Sequence, residues 1–347
     1  MGRFISEDSV DDPNNPNEFV YVANNPINNV DATGHTLVNF GDMLMQKAIN
    51  YVISKIPGLG EALSVFNMFT GENDAEGEPA AKIPPPPADY NDNQKAQYYL
   101  SNMGFDTGGV DGIMGVRSSS ALIIFQYSEG IPITGEVDST TLSTLEKSAN
   151  DGTTYKSIMS SEKVKNWKPE KPTVNENEKN GKLNEANMAR VPTGNGGNAK
   201  LNKEAAVSWA MMVNDAIEYN KTAVDKLNIN EFALSGEISG YRSYEQQVKV
   251  RTDWKNKITN AYNSSENSDY KTSVQQLIDN GVSKDQAIMK ITGIYSANPG
   301  FSNHGLAIAA DLRFVKGSNS YNWMKNNASK YGYKPYAAEH WHWDYKP

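Results

Sequence analysis

Two long polar stretches interrupt this chain of 347 residues, so separate modules joined by linkers are expected. Residues 70–90 are rich in Gly, Glu and Ala and include four consecutive prolines, Pro84 to Pro87, which favour a stiff polyproline spacer. Residues 149–200 are mostly Lys, Asn, Glu, Gly and Ser, with little to bury, and read as a solvated linker. The length suits two or three modules of roughly 100–200 residues each. A hydrophobic fraction of 38% and a mean hydropathy of -0.62 agree with a chain that contains much loop.

Charge and composition then remove several classes of chemistry. A net charge of -8 and an isoelectric point near 5.2 argue against binding a phosphate backbone, which calls for a basic face, so no nucleic-acid partner is expected. With no cysteine, thiolate catalysis, disulfides and cysteine zinc sites are excluded, and any metal must be held by His, Asp or Glu. Met1 leads into polar and charged residues, so export is expected by a route other than a signal peptide. The apolar stretch Leu37 to Phe69 is broken by Asp42, Lys47, Lys55, Pro57 and Gly58, and falls short of the ~20 apolar residues that a stable membrane span needs. It reads as an amphipathic helical segment.

Between the polar stretches, residues 91–148 form a compact passage. Ala96, Tyr99 and Leu100 recur at helical spacing; a VDGIMG turn, a second helix through Ala121, Leu122 and Phe125, and GEVDSTTLSTL come next. A small all-α domain of three helices is expected. Its Gln97, Leu100, Gly104 and Phe105, then Val110, Asp111, Gly112 and Gly115, then Ala121, Phe125 and Gln126, then Gly135, Val137, Asp138, Thr141 and Leu145 resemble the peptidoglycan-binding domain 1 family. Ser118 stands where that family usually has Thr. The resemblance implies affinity for peptidoglycan.

Residues 201–347 alternate a helix from Lys203, a strand entering SGYRS, a charged helical stretch, and strand-like runs at 308–315 and 340–345, which predicts an α+β domain with an antiparallel sheet. Only four histidines occur, and three of them, His304, His340 and His342, lie here beside Asp311 and Glu339. A catalytic zinc typically takes three protein ligands and keeps one position open. Seven residues separate His304 from Asp311, about 10 Å along a helix or 23 Å along a strand, so the chain must fold back between them. Gly305, Ala307 and Ala309 ease that turn, and Asp311 is expected to begin a returning strand. Period 2 places His340, His342 and Asp344 on one face, which makes His340 a reserve ligand. Glu339, three before His342, reaches the same ion only from a loop or bulge.

These residues, SNHGLAIAAD, then EHWHW, with SGYRSYEQQ upstream, resemble the zinc D-alanyl-D-alanine carboxypeptidases, the VanY-like peptidases and related phage endolysins. Ala307 replaces that family's usual glycine. The resemblance implies Zn2+ held by His304, Asp311 and His342, with Glu339 as general base. Arg242 would stabilise a developing oxyanion or hold a substrate carboxylate, and Ser302, Gln247 and Tyr241 would position substrate or support loops.

Residues 1–36, with GRFISED early and NNPINNVDATGH at the end, resemble the close of the core of Rhs and related YD-repeat proteins, Ala32 standing in place of a proline. In that family the core leads into a variable C-terminal toxin. The combined expectation is a secreted antibacterial effector, delivered by the parent Rhs or type VI secretion machinery, that cuts peptidoglycan in the periplasm of target bacteria and is matched by a cognate immunity protein. A non-catalytic wall-binding or adhesion protein is the alternative.

Overall fold

The computed structural model describes residues 82–173 and 178–347, together with the backbone of two short paired strands, β1 (Asn29–Val30) and β2 (Val38–Asn39). Those strands belong to a first unit, Met1–Ala81, while Lys82–Pro347 forms a second. The Rhs-like phrase and the apolar stretch 37–69 otherwise lie outside the described residues.

The second unit opens on three helices: α1 (Asp92–Asn102), α2 (Val116–Glu129) and α3 (Ser139–Asn150). Each boundary has a local cause. Asn91 and Gln94 form a reciprocal cap that starts α1, Gly130 in the left-handed region (φ 69°) ends α2, and the Asp138 carboxylate accepts from Thr141 N to start α3. The motif glutamines are internal staples. Buried Gln97 donates to Asp111, Ile113 O and Ser118 and accepts from Gly112 N, while buried Gln126 donates to Thr134, Thr141 and Glu136 O. Both tie a turn to a helix by satisfying backbone groups that burial would otherwise leave unpaired.

Separate modules on a free tether were expected at 91–148 and 201–347; instead both contribute to one core. Ala121, Leu122, Ile123, Ile124 and Phe125 are all buried, so α2 is apolar nearly all round and needs cover on more than one side. That cover comes from α6 (Lys203–Thr222), itself buried at Trp209, Met212 and Val213. The stretch 149–200 is not a linker throughout. It contains α4 (Tyr155–Ser160), α5 (Glu162–Lys165) and an antiparallel hairpin of β3 (Met188–Pro192) and β4 (Asn198–Asn202). Its few apolar residues are buried: Ile158, Val164, Leu183, Met188 and Val191 are all inside, and Trp167 stacks on Tyr331. The end of the proline-rich spacer docks too, with Ile83 buried and its N–H donating to Ala149 O.

Beyond α6 no strand enters SGYRS. Short 3-10 turns at Ile229–Phe232 and Glu237–Ser239 occupy that place, and between them Leu234 makes isolated bridges to Thr193 and Leu312. Helices α7 (Tyr244–Asn263), α8 (Asp269–Asp279) and α9 (Lys284–Tyr295) then pack around their own small core of Ile258, Val274, Ala287, Ile288 and Ile291. The chain returns as β5 (Ala309–Asp311), α10 (Asn319–Asn327), β6 (Tyr333–Tyr336) and β7 (Glu339–Tyr345), forming an antiparallel sheet of order β5-β7-β6. The architecture is therefore α+β, with helices around small antiparallel sheets. Among the described residues, no helix is long and apolar enough to cross a membrane.

Candidate metal centre

Sheet register brings the distant motifs together. Asp311 pairs with His342 across β5 and β7, so the two side chains stand side by side, as neighbours directly opposite in an antiparallel pair must. Asp311 is the last residue of β5, not the first of a returning strand; the chain already runs as a strand from Ala309. His304 arrives from a 3-10 turn, Asn303–Leu306, that folds the chain back as the spacing required. The turn closes through Ala307, which holds φ 56° in the left-handed region, a conformation that the glycine expected there would adopt without strain.

One donor atom from each of His304, Asp311 and His342 lies within 4.8 Å of the others. His304 Nε2 is 3.4 Å from Asp311 Oδ2, and His342 Nδ1 is 2.9 Å from Asp311 Oδ1. Donors about 2 Å from a shared ion stand roughly 3.3 Å apart in a tetrahedral site, so closing on a metal needs side-chain adjustment and no change of backbone. The opposite ring nitrogens are already held. His304 Nδ1 lies 2.8 Å from Gly240 O, and His342 Nε2 lies 3.0 Å from Asp344 Oδ1. Such partners fix which nitrogen faces a metal, so the donor set fits a divalent ion of the zinc type.

Glu339 and Arg242 complete the cluster. The pairing of β6 and β7 slips between Pro335 and Tyr336, which stand opposite Trp343 and Glu339 respectively. This irregularity turns the Glu339 carboxylate back to within 4.0 Å of His342 Nδ1. Burial raises the Glu339 pKa above the usual carboxylate range, and the neighbouring His342 opposes that shift. The same slip breaks the period-2 expectation for His340. Its ring lies edge-on to Trp341 and to Tyr321, on the side where Tyr321 also meets Trp343, and His340 does not join the three donors. Arg242 is largely buried, places Nη2 3.8 Å from Asp311 Oδ2 and donates to Ile238 O.

The remaining expected residues divide. Ser302 lines the cleft over the donors, and its carbonyl accepts from Asn180 Nδ2. Gln247 is buried beneath, donating to Asn180 Oδ1 and Arg242 O and accepting from Gly300 N, so it supports loops. Tyr241 turns away. It packs on Leu183, Met188 and Ala307, with its hydroxyl accepting from Leu183 N, and is not part of the cleft wall.

Three features were missed. Asn180 and Gly181, in the presumed linker, brace the His304 turn, where Gly181 N donates to Gly305 O. A Cβ on Gly305 would lie 1.9 Å from Asn180 Oδ1 and 2.2 Å from Gln247 Nε2, so a larger residue there would displace both amides. Asp344 links both ligand segments, because Asn303 Nδ2 also donates to its Oδ1 at 2.8 Å. Finally, Trp254 and Tyr295 from α7 and α9, stacked 4.8 Å apart, form a wall of the cleft of about 380 Å³ above the donors. Only the shared face of Asp344 and His342 was visible in the sequence.

The metal-free cluster has a defined proton inventory. Burial disfavours a charged His342, but its hydrogen bonds to Asp311 and Asp344 outweigh that cost and push its pKa up to about 9, while Asp311 itself is held well below the usual carboxylate range. At neutral pH His342 therefore carries a proton on the nitrogen a metal would need. Metal binding must expel it, so affinity should rise about tenfold per pH unit between pH 6.5 and 8.5 and level off above about 9. Chelator competition across that range measures this. A flat profile would contradict the proposed donor set.

Residues 90–145 match the family described as "Putative peptidoglycan binding domain". No curated protein matches the chain. Two solved structures show similarity. One is a mutant of the vancomycin resistance D,D-pentapeptidase VanY from a VanB-type resistance cassette in complex with Zn(II), at 18% identity and TM-score 0.27, spanning 46% of this chain and 78% of that one. The other is VanYB in complex with D-alanine-D-alanine, at 17% identity and TM-score 0.28, spanning 46% and 77%.

Proposed function

We propose that this chain is a zinc peptidase that hydrolyses peptide bonds next to D-amino acids in peptidoglycan stem peptides. The observation that carries the reading is the convergence of His304, Asp311 and His342 beside Glu339 and Arg242, in one unit with a peptidoglycan-binding segment. Zinc held there would supply Lewis acidity, lowering the pKa of water so that it can give up a proton and act as a nucleophile near neutral pH. Glu339 takes the proton that the attacking water gives up and returns it to the departing amine as the C–N bond breaks. Its raised pKa suits both transfers. Arg242, fixed by Ile238 O, offers a guanidinium to the oxygen that becomes negative as the water oxygen bonds to the carbonyl carbon, or to a substrate carboxylate.

From the amino-terminal phrase we further propose delivery as the tail of an Rhs-type toxin, action in the periplasm of target bacteria, and a cognate immunity protein. The test is digestion of purified sacculi by zinc-loaded protein, with mass spectrometry of the products, together with periplasmic expression in a host without an immunity gene. New amino termini or released D-alanine, and lysis, are expected. Intact muropeptides would remove the peptidase reading, and sacculus binding without bound metal would assign adhesion instead.

A further inference from the structure

Asp344 stands two residues beyond His342 on β7, outside the three donors and without a part in the proton transfers given to Glu339. We infer that Asp344 is a positioning residue for both histidines: it holds the His342 ring and the His304 turn in one metal-ready arrangement, and so sets metal affinity. This rests on the reading of His304, Asp311 and His342 as ligands and assigns what keeps them in place.

One carboxylate oxygen makes both connections. Asp344 Oδ1 lies 3.0 Å from His342 Nε2 and accepts from Asn303 Nδ2 at 2.8 Å, and Asn303 directly precedes His304. The second oxygen, Oδ2, accepts from Lys346 Nζ at 2.7 Å. With both oxygens engaged, turning the carboxylate towards one partner costs its bonds to the others. Its place in the sheet is determined as well. Asp344 is buried and stands opposite Ala309 in the pairing of β5 with β7, where a methyl group leaves room for a carboxylate beside the ring. The next residue is pinned through its backbone, Tyr345 N donating to Ile308 O at 2.7 Å.

The two histidines are held unequally. His342 Nδ1 faces Asp311, so Nε2 carries the proton when Nδ1 gives its lone pair to a metal. A carboxylate that accepts this proton fixes the ring's orientation and makes the imidazole a stronger electron donor. His304 Nδ1 has only the neutral Gly240 carbonyl, at 2.8 Å. Hydrogen bonds to ionised acceptors are roughly twice as strong as those between neutral groups. His342 is therefore the firmly anchored ligand, and the Asn303 amide extends that anchor to the turn bearing His304: the turn cannot shift without pulling on the oxygen that holds His342.

Zinc affinity, measured by chelator competition at one pH on full-length protein without substrate, tests the assignment. Asp344→Ala should bind zinc roughly ten- to a hundredfold more weakly than the parent. Asp344→Asn keeps an acceptor oxygen but not the charge and should fall between the two; Asn303→Ala should show a smaller loss than Asp344→Ala. A second readout separates positioning from packing. In zinc-loaded protein carrying 15N-histidine, the His342 Nε2 proton should exchange slowly with water in the parent, in Asp344→Asn and in Asn303→Ala, and rapidly in Asp344→Ala. If Asp344→Ala melts early, the affinities of the other two variants decide in its place. Parent-like affinity in every folded variant, or a rapidly exchanging Nε2 proton in the parent, would overturn the inference. A parent that takes up no zinc would instead remove the metal-centre reading on which it stands.

Discussion

Glu339→Ala should lower kcat on stem peptides by roughly 10²- to 10⁴-fold, with KM nearly unchanged and zinc still bound. The expectation comes from where the carboxylate sits. It lies 4.0 Å from His342 Nδ1 but outside the group whose donors close on one another, so its loss leaves the metal ligands in place. What disappears is the proton acceptor, worth about 3–5 kcal/mol of transition-state stabilisation at 1.36 kcal/mol per decade. Glu339→Gln keeps the shape without the basicity and should be as inactive. Steady-state kinetics with parallel zinc analysis decides; a variant within tenfold of the parent would show that the proton goes elsewhere.

The three candidate donors, His304, Asp311 and His342, were legible because their chemistry restricts the choice. In a chain without cysteine, histidines in and near an EHWHW run leave few alternatives, and the seven-residue step from His304 to Asp311 demanded a turn, which the 3-10 turn and Ala307 supply. Helix α2 was legible for a different reason: an apolar run between a VDG turn and a GEVD turn has few other fates.

What failed was the reading of polar text. Asn180 and Gly181 look like solvated linker because they contribute hydrogen-bonding groups and close backbone approach in place of apolar area, and the β3–β4 hairpin because its buried Val191 and Ala199 are diluted by polar neighbours. Composition reports area; it does not report which carbonyl needs a donor. His340 and Tyr241 failed because period 2 and motif membership both assume regular geometry. The slip opposite Pro335 and Tyr336 turns His340 towards Tyr321, and Tyr241 is drawn under the His304 turn by Leu183 and Met188. The packing of α2 on α6 was also invisible, since an all-round apolar helix announces that it needs cover but not what supplies it.

Asp311→Ala should abolish both zinc binding and hydrolysis, and should also destabilise the metal-free protein, an effect that loss of a ligand alone does not explain. Asp311 is the carboxylate shared by His304, His342 and Arg242, at 3.4, 2.9 and 3.8 Å. Arg242 stays charged despite burial, which lowers its pKa, because Asp311 and then Glu339 oppose that cost. Without Asp311, a buried guanidinium faces a protonated His342 with only Asp344 and the half-buried Glu339 to compensate. Breaking a buried ion pair from one side costs roughly 3–5 kcal/mol. The cost should be smaller at high pH, where His342 loses its proton. Its pKa sets the sign and the window: raised to about 9 in the parent, it should fall in the variant, so the deficit is fullest near neutrality and shrinks as pH rises towards 9. Urea denaturation of metal-free parent and variant at pH 7 and pH 9, with His342 monitored by NMR, measures both parts. Equal stability at pH 7 would mean that Asp311 does not hold Arg242 and His342 together.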